Sequence, residues 1–127
     1  MVKTVISLLL ALICTSVSNA QWKDQTPPDE VPVYLPTDYD PKVSSPLVIF
    51  LHGWAPISPI WYDILVPIQD DANEHGYIFA KPVGSQDGLG DYYWNATDAC
   101  CDMFNSDPEH VSYILALVDS IKENYNV

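Results

Sequence analysis

Apolar residues in this chain form continuous runs in some segments and helical repeats in others. Pro46–Leu51 (PLVIFL) is a continuous run that is rich in β-forming residues and is followed by His52-Gly53. Because continuous apolarity is typical of strands covered on both faces, this run predicts a central parallel strand. Tyr77–Pro82 (YIFAKP) predicts a second buried strand. The prolines of Val31–Pro36 (VPVYLP) place a third β-type run at a sheet edge.

Two further segments have the spacing of amphipathic helices. In the first, Gly76 closes the pattern and Pro67 predicts a kink or a late helix start. Its apolar stripe comprises Trp61, Ile64, Leu65, Ile68, Ala72 and His75. The second begins at Ser106–Glu109 (SDPE), which offers a capping residue, Pro at the first helical position and Glu in the capping-box place. Its predicted buried stripe comprises Val111, Ile114, Leu115, Val118 and Ile121.

The order of the predicted elements indicates the fold class. Between the last strand and the last helix, Val83–Asn105 predicts a long loop of a functional kind, rich in Gly, Asp and aromatic residues. Strands of the buried type that alternate with helices predict an α/β fold with a mostly parallel sheet flanked by helices. The sequence stops where such a fold would enter its next central strand, and a sheet cut there has an unpaired edge.

The first twenty residues have the pattern of a secretory signal peptide. Lys3 forms the positive n-region, Thr4–Cys14 the apolar h-region, and Ser18-Asn19-Ala20 the small residues before a cleavage site. The apolar run is too short to span a bilayer. A buried N-terminal helix and a lipid anchor on Cys14 are the alternatives. We expect a protein that is secreted to the extracellular space or the periplasm, without a membrane partner after signal cleavage.

Residues 21–30 form a polar, proline-containing lead-in, and residues 31–127 form one predicted domain. Acidic residues number 17 against five basic ones, which gives a formal net charge of −12. Because no basic patch is available to neutralise phosphates, the composition argues against nucleic acid or an anionic membrane surface as the partner. The acids are scattered through a chain that is 48% hydrophobic, which indicates a folded domain.

Two adjacent cysteines, Cys100 and Cys101, remain in the mature chain once Cys14 is assigned to the signal peptide. Export favours a disulfide, but a bridge between neighbours is strained. The pair therefore predicts a disulfide to a cysteine outside this sequence, with reduced and buried thiols as the alternative. Since no other Cys or His lies at ligand spacing, we expect neither a metal site nor a cofactor.

Leu51–Trp54 (LHGW), directly after a buried strand, carries the chemistry that the sequence suggests. It matches the strand-to-helix turn whose backbone N–H helps to hold the oxyanion in α/β hydrolases. Gly53 would let the backbone approach the substrate, and His52 would brace the turn. The N–H of Trp54 would be the donor and its ring would shape the substrate pocket. An ordinary strand-ending turn is the alternative.

Four segments in order along the chain then suggest a family: YLPTDYDP (Tyr34–Pro41), PLVIFLHGW (Pro46–Trp54), NEHGYIFAKP (Asn73–Pro82) and WNATDACCD (Trp94–Asp102). Together they resemble the secreted polyhydroxybutyrate depolymerase and feruloyl esterase group of α/β hydrolases. The resemblance implies the N-terminal portion of an α/β-hydrolase fold, truncated before the nucleophile strand. It also implies a Ser-His-Asp ester hydrolase whose substrates, polymeric ones included, are polyesters or plant-wall phenolic esters.

The sequence departs from that family because it contains no G-x-S-x-G motif. Ser85 follows Gly84, but it lies in the predicted loop and not in a nucleophile elbow. We therefore expect the catalytic triad to be absent from this chain and the chain alone to be inactive. No histidine is expected to be the base: His52 would brace its turn, His75 would cap a helix end and His110 would be solvated.

The segment around Trp94 supports a second hypothesis. Asn95-Ala96-Thr97 is a glycosylation sequon, with a structural asparagine as the alternative. Tyr93 and Trp94 are candidate substrate-binding residues, with ordinary core filling as the alternative. A complete, non-catalytic secreted module would use the aromatic loop 92–104 to bind polymer or carbohydrate.

Overall fold

The computed structural model describes residues 25–54, 67–97, 101–102 and 104–127, which form two helices, two small sheets and a short 3₁₀ turn at Pro28–Glu30. The strands are β1 (Val33–Tyr34), β2 (Leu47–Ile49), β3 (Ile78–Ala80), β4 (Ser85–Gln86) and β5 (Tyr92–Tyr93), and the helices are α1 (Ile68–His75) and α2 (His110–Asn124). Neither helix in these ranges is long and apolar enough to span a bilayer. The predicted signal peptide lies outside the described residues.

The larger sheet has the strand order β1-β3-β2, with β3 parallel to β2 and antiparallel to β1. All three residues of β3 are buried, and β1 lies at an edge, as the patterns of these two segments predict. The prediction that Pro46–Leu51 supplies the central strand is wrong for the described part of the chain. There β2 pairs only with β3 and forms the other edge, and Val48 remains 37% exposed.

The sheet lies between the two helices because successive residues of a strand point to opposite faces. On the face that carries Ala80, the core contains Val31 together with Tyr113, Leu117 and Ile121 of α2. Leu47 and Ile49 pack against this cluster. On the opposite face, which carries Phe79, the core contains Ile68 and Ala72 of α1. Tyr34 stacks on Phe79 at 4.7 Å between ring centroids. The result is a small mixed α/β protein in three layers.

Helix α1 has the boundaries that its sequence signals predict. It begins at Ile68, directly after Pro67, where the sequence predicts a kink or a late helix start. Gly76 ends it in the left-handed conformation (φ 71°), and the N–H of Gly76 donates to the carbonyl of Ala72. A residue without a Cβ adopts this conformation at little cost. The first stripe positions, Trp61, Ile64 and Leu65, lie outside the described residues.

Helix α2 begins at His110, and the predicted start at Ser106–Glu109 is wrong. Asn105 (φ 50°) and Asp107 (φ 45°) are in the left-handed region, which a right-handed helix excludes. The N–H groups of Ser106 and Asp107 donate to the carboxylate of Asp102 at 3.0 and 2.6 Å. The carboxylate of Asp102 therefore binds backbone N–H groups of the segment in which the capping box was predicted.

The buried face of α2 also differs from the predicted stripe. It is formed by His110, Tyr113, Leu117 and Ile121, while Val111 and Leu115 are 70% and 60% exposed. The spacing of the buried set is still helical. The pattern failed because His110 and Tyr113, with polar tips, occupy core positions through hydrogen bonds that the sequence does not reveal.

The predicted loop Val83–Asn105 contains a β-hairpin formed by the antiparallel strands β4 and β5. The carboxylate of Asp87 closes its turn by accepting from the N–H groups of Leu89 and Asp91. Gly90 takes a positive φ of 87°. Strands of two residues are too short to show alternation, so the sequence pattern did not predict them.

Candidate active site

The turn His52-Gly53-Trp54 leaves β2 at the end where the parallel strand β3 also finishes. The imidazole of His52 is buried, and both of its ring nitrogens have hydrogen-bond partners among the described residues. Its Nδ1 lies 2.8 Å from the carbonyl oxygen of Gly53, and its Nε2 accepts from the backbone N–H of Gly84 at 2.9 Å. The ring therefore connects the turn after β2 to the segment after β3.

These two bonds define the protonation state of His52. A backbone N–H can only donate, so Nε2 presents its lone pair to Gly84. The proton is then on Nδ1, from which it is donated to Gly53. Burial lowers the pKa of His52 below its ordinary value of 6.5, and the bond to Gly53 opposes this with a smaller effect. His52 is a neutral group with both nitrogens occupied.

His110 is buried, so the expectation that it is solvated is wrong. Its Nε2 lies 3.0 Å from Oγ of Ser85, and its Nδ1 accepts from the backbone N–H of Asn95 at 2.6 Å. Ser85 is only 8% exposed. The fold thus brings together a serine and a histidine that lie 25 positions apart in the sequence, and no spacing signal points to this pair.

The hydrogen-bond polarity of this pair is opposite to that of a catalytic dyad. Because the N–H of Asn95 occupies the Nδ1 lone pair of His110, the proton of the neutral ring is on Nε2 and is donated to Ser85. A general base must instead accept the serine proton at that nitrogen. Burial lowers the pKa of His110, aided by the nearby His52 and opposed by Asp102. The pair is a structural hydrogen bond.

Trp94 lies between the two histidines. Its ring centroid is 5.4 Å from that of His52 and 5.0 Å from that of His110, and it also contacts Tyr113 at 6.3 Å. The indole N–H is buried and meets no acceptor within the part of the chain that the structure describes. Of the two candidate substrate-binding residues of this segment, Trp94 is half-buried and Tyr93 is fully buried. Tyr93 therefore offers no surface to a ligand, which corrects its assignment.

A second polar cluster, formed by Tyr93, Asp102 and Ser106, connects the hairpin to the segment before α2. The hydroxyl of Tyr93 lies 2.5 Å from Oγ of Ser106 and 3.4 Å from the carboxylate of Asp102. Burial raises the pKa of Tyr93. Burial would also raise the pKa of Asp102, but hydrogen bonds from Ser106, Asp107 and Tyr93 together hold it below its ordinary value. Sequence reasoning missed Asp102 because one acidic residue among 17 carries no signal.

Two residues of the turn are exposed. Gly53 is exposed, and Trp54 is 49% exposed. Across the described ranges, no carbonyl or side chain accepts a hydrogen bond from the N–H of Gly53 or Trp54. Leu51, which is 45% exposed, adds an apolar surface next to these donors. Within the described ranges, the turn therefore has N–H donors without an acceptor beside an apolar surface, and the hydrogen bonds of His52 hold it in place.

The remaining predicted residues that the structure describes have structural partners. Cys101 is disulfide-bonded within this chain, so the prediction of a partner cysteine outside the sequence is wrong, and Cys14 and Cys100 lie outside the described residues. The side chain of Asn95 donates to Asp107 at 3.1 Å, so the sequon asparagine has a structural partner. His75 does not cap a carbonyl: its Nε2 lies 3.5 Å from the carboxylate of Asp71 on the exposed side of α1.

A cavity of about 390 Å³ lies away from the turn, between the 3₁₀ turn, β1 and the end of α2. It is lined by Pro28, Asp29, Val31, Val33, Ser120, Ile121, Asn124 and Tyr125. None of the candidate site residues contributes to this lining, so the cavity does not help to assign the chemistry of the turn.

Comparison with known proteins gives no match: no family model, curated protein or solved structure corresponds to this chain. The function must therefore be argued from the geometry of the turn and its supporting histidines.

Proposed function

We propose that this chain supplies the oxyanion-binding turn of a secreted carboxylic ester hydrolase that acts on polyester or feruloyl-type esters. The nucleophile, the base and the acid of that enzyme are not among the residues of this sequence. The observation that carries the proposal is the N–H of the half-exposed Trp54, which has no acceptor among the described residues, in a turn that the hydrogen bonds of His52 hold in place.

The chemistry follows from the charge that develops when an ester carbonyl is attacked. As the tetrahedral intermediate forms, the carbonyl oxygen becomes an oxyanion, and backbone N–H donors held in place stabilise it. Such donors are effective when they need no rearrangement during the reaction. The bonds of His52 to Gly53 and Gly84 supply this rigidity. Gly53 adds no side chain beside the donor.

The position of the turn in the sheet also supports the proposal. The strands β2 and β3 are parallel, so their carboxyl ends lie at the same edge of the sheet. Ligand sites of open α/β sheets lie in the crevice at that edge. His52-Gly53-Trp54 follows β2 there, and Gly84, which is bonded to His52, follows β3. The candidate donor thus lies where this class of fold places its substrates.

A binding module built on the aromatic loop 92–104 has less support. Tyr93 is fully buried, and Trp94 packs against His52, His110 and Tyr113. Tyr93 lies in the core and the half-buried Trp94 packs against it, so these two rings do not form the exposed platform that a polymer or a carbohydrate would stack on.

The oxyanion role is tested in the active enzyme that contains this chain, with a p-nitrophenyl ester as substrate. Gly53→Val should lower kcat about 100- to 1,000-fold, because the branched side chain displaces the Trp54 N–H and the loss of one such donor costs about 2.7–4 kcal/mol. Trp54→Phe is the matched control, since it keeps the N–H and should change KM more than kcat. An unchanged kcat in a folded Gly53→Val variant would show that the turn does not bind the oxyanion.

A further inference from the structure

The cavity of about 390 Å³ shares no residue with the turn that follows β2. One of its walls is formed by the 3₁₀ turn and β1, and the other by the last turn of α2 and Tyr125. Its volume lies within the range of about 300–1,000 Å³ that is typical of small-molecule sites. Binding in this cavity is therefore independent of ester hydrolysis, and the two are tested separately.

The segments that form the two walls are held by hydrogen bonds. The hydroxyl of Tyr113 on α2 donates to the carbonyl of Thr26 at 2.8 Å, which fixes the segment before the 3₁₀ turn against the helix. The N–H of Glu30 donates to the carbonyl of Pro27 at 2.9 Å and closes the 3₁₀ turn. On the other wall, the N–H of Tyr125 donates to a carbonyl of the last turn of α2. A bound molecule would thus require little ordering of the protein.

The buried residues of the lining are apolar, and its exposed residues are polar. Val31 and Ile121 belong to the core and are 6% and 1% exposed. Asp29 and Asn124 are exposed, and Ser120 is half-buried. A ligand would therefore meet polar groups near the solvent and apolar side chains at the bottom of the cavity.

The polar groups of the lining are mainly hydrogen-bond acceptors. The carboxylate of Asp29 is one of them. The side-chain nitrogen of Asn124 donates to the carbonyl of Ser120 at 2.8 Å, which leaves the oxygen of the same amide as a second acceptor. The hydroxyl of Ser120 can accept as well as donate. Helix α2 also ends here, and the carbonyls of a helix C-terminus carry partial negative charge.

The charge around the cavity is negative. Asp29 is a charged residue of the lining, and among the described residues no Lys, Arg or His contributes to it. Lys122, in the last turn of α2, is exposed and is not part of the lining. The whole chain has a formal net charge of −12. The cavity therefore favours a cation that donates hydrogen bonds and disfavours an anion.

We propose that this cavity binds a small organic cation, a free primary amine in its ammonium form that carries a short apolar group. An ammonium has three N–H donors, which match the acceptors of Asp29, Asn124 and Ser120. The apolar group packs against Val31 and Ile121 at the bottom of the cavity. A volume of about 390 Å³ is larger than one lysine side chain, so a free amine fills it better than a lysine of a partner protein.

The test is an NMR titration of the isotope-labelled chain at neutral pH with phenethylammonium, with neutral phenethyl alcohol and with anionic phenylacetate. Phenethylammonium should shift the amide signals of the lining residues in a saturable manner. The alcohol and the anion should bind about fivefold or more weakly, because neither forms a charge-assisted hydrogen bond with Asp29.

Two variants locate the charge that attracts the amine. Asp29→Asn should weaken the binding of phenethylammonium about two- to fivefold, which is the scale of an exposed ion pair. Glu30→Gln is the matched control, since Glu30 is an exposed acid of the same 3₁₀ turn and lies outside the lining. It should leave the affinity unchanged.

Four results would overturn the proposal. Equal affinities for the ammonium and the alcohol would show that charge has no part in binding. An equal loss in Asp29→Asn and Glu30→Gln would assign the attraction to the overall negative charge of the protein. Signals that shift only outside the lining, or not at all, would show that the cavity does not take the amine. Tighter binding of Nα-acetyl-lysine amide than of phenethylammonium would assign the cavity to a lysine side chain of a partner protein.

Discussion

The Nε2 of His110 and the Oγ of Ser85 lie 3.0 Å apart, and their hydrogen bond runs from the histidine to the serine. The direction is imposed from the far side of the ring, where the N–H of Asn95 donates to Nδ1. A serine that accepts from its histidine gains no nucleophilicity, because the hydroxyl proton has no base to receive it. The contact therefore has a structural role in the hairpin that contains Ser85.

Replacement of Ser85 by alanine should lower the free energy of unfolding by about 1–3 kcal/mol, because the buried Nε2–H of His110 loses its acceptor. Urea unfolding measures the change. Ser112→Ala is the matched control, since its hydroxyl donates to the exposed carboxylate of Glu109 and its loss should cost less than about 0.5 kcal/mol. Equal stabilities of the two variants would mean that the Ser85 bond is not formed in solution.

The purified chain should neither hydrolyse p-nitrophenyl acetate nor be labelled by a serine-directed fluorophosphonate. Ser85 is 8% exposed and accepts a hydrogen bond from a neutral histidine, so it is neither accessible nor activated. Labelling is read by intact mass. A covalent adduct that disappears in Ser85→Ala would reverse this assignment and make Ser85 a nucleophile.

The sequence predicted the elements whose signals are local. The buried run Tyr77–Pro82, the edge position of Val31–Pro36 and the limits of α1 at Pro67 and Gly76 all agree with the structure. Each depends on a property of a few adjacent residues: continuous apolarity, a missing N–H, or access to positive φ. Whether Pro46–Leu51 is central depends instead on which strands pair with it, and that is a long-range property.

The supporting groups of the site were not predictable for the same reason. His110 occupies a core position of α2 only because Ser85 and Asn95, from a distant hairpin, satisfy both of its nitrogens. Helix α2 begins later than the sequence predicts because the carboxylate of Asp102 binds the backbone N–H groups of Ser106 and Asp107. Polar residues acquire a position in the core when their partners are assembled, and a one-dimensional pattern does not contain those partners.

Gly84 is expected to tolerate no side chain. A Cβ there would lie 2.1 Å from the carbonyl oxygen of Tyr93, which is backbone and cannot move without opening the hairpin. Gly84→Ala should therefore destabilise the protein by about 1–3 kcal/mol or more and should weaken the bond from the Gly84 N–H to His52.

Gly76→Ala separates this steric effect from a purely conformational one. No atom lies within 4 Å of a Cβ at Gly76, and the only cost is a positive φ of 71°, roughly 1–2 kcal/mol. Thermal unfolding gives the stability of both variants, and the imidazole NMR signals of His52 report the local bond. Only Gly84→Ala should shift those signals. A Gly84→Ala variant with unchanged stability and unchanged His52 signals would contradict the packing described.

The stability of the protein should decrease as the pH falls below about 6.5, because two buried histidines are neutral in the folded state. Burial lowers the pKa of both His52 and His110 from the ordinary value of 6.5 that applies to the unfolded chain. Above pH 6.5 both states are neutral and these residues add no pH dependence. Below it the unfolded chain takes up protons first, so each histidine lowers the free energy of unfolding by at most about 1.4 kcal/mol per pH unit.

The physical cause of this dependence is the loss of two acceptors. Protonation of His52 removes the lone pair that binds the N–H of Gly84, and protonation of His110 removes the one that binds Asn95. Urea unfolding at several values between about pH 7.5 and pH 5 measures the slope. His110→Phe should lower stability at neutral pH but reduce the slope, because the variant has no ring nitrogen to protonate. A free energy of unfolding that stays constant from pH 7 to pH 5 would mean that the two rings are not held neutral by the bonds described here.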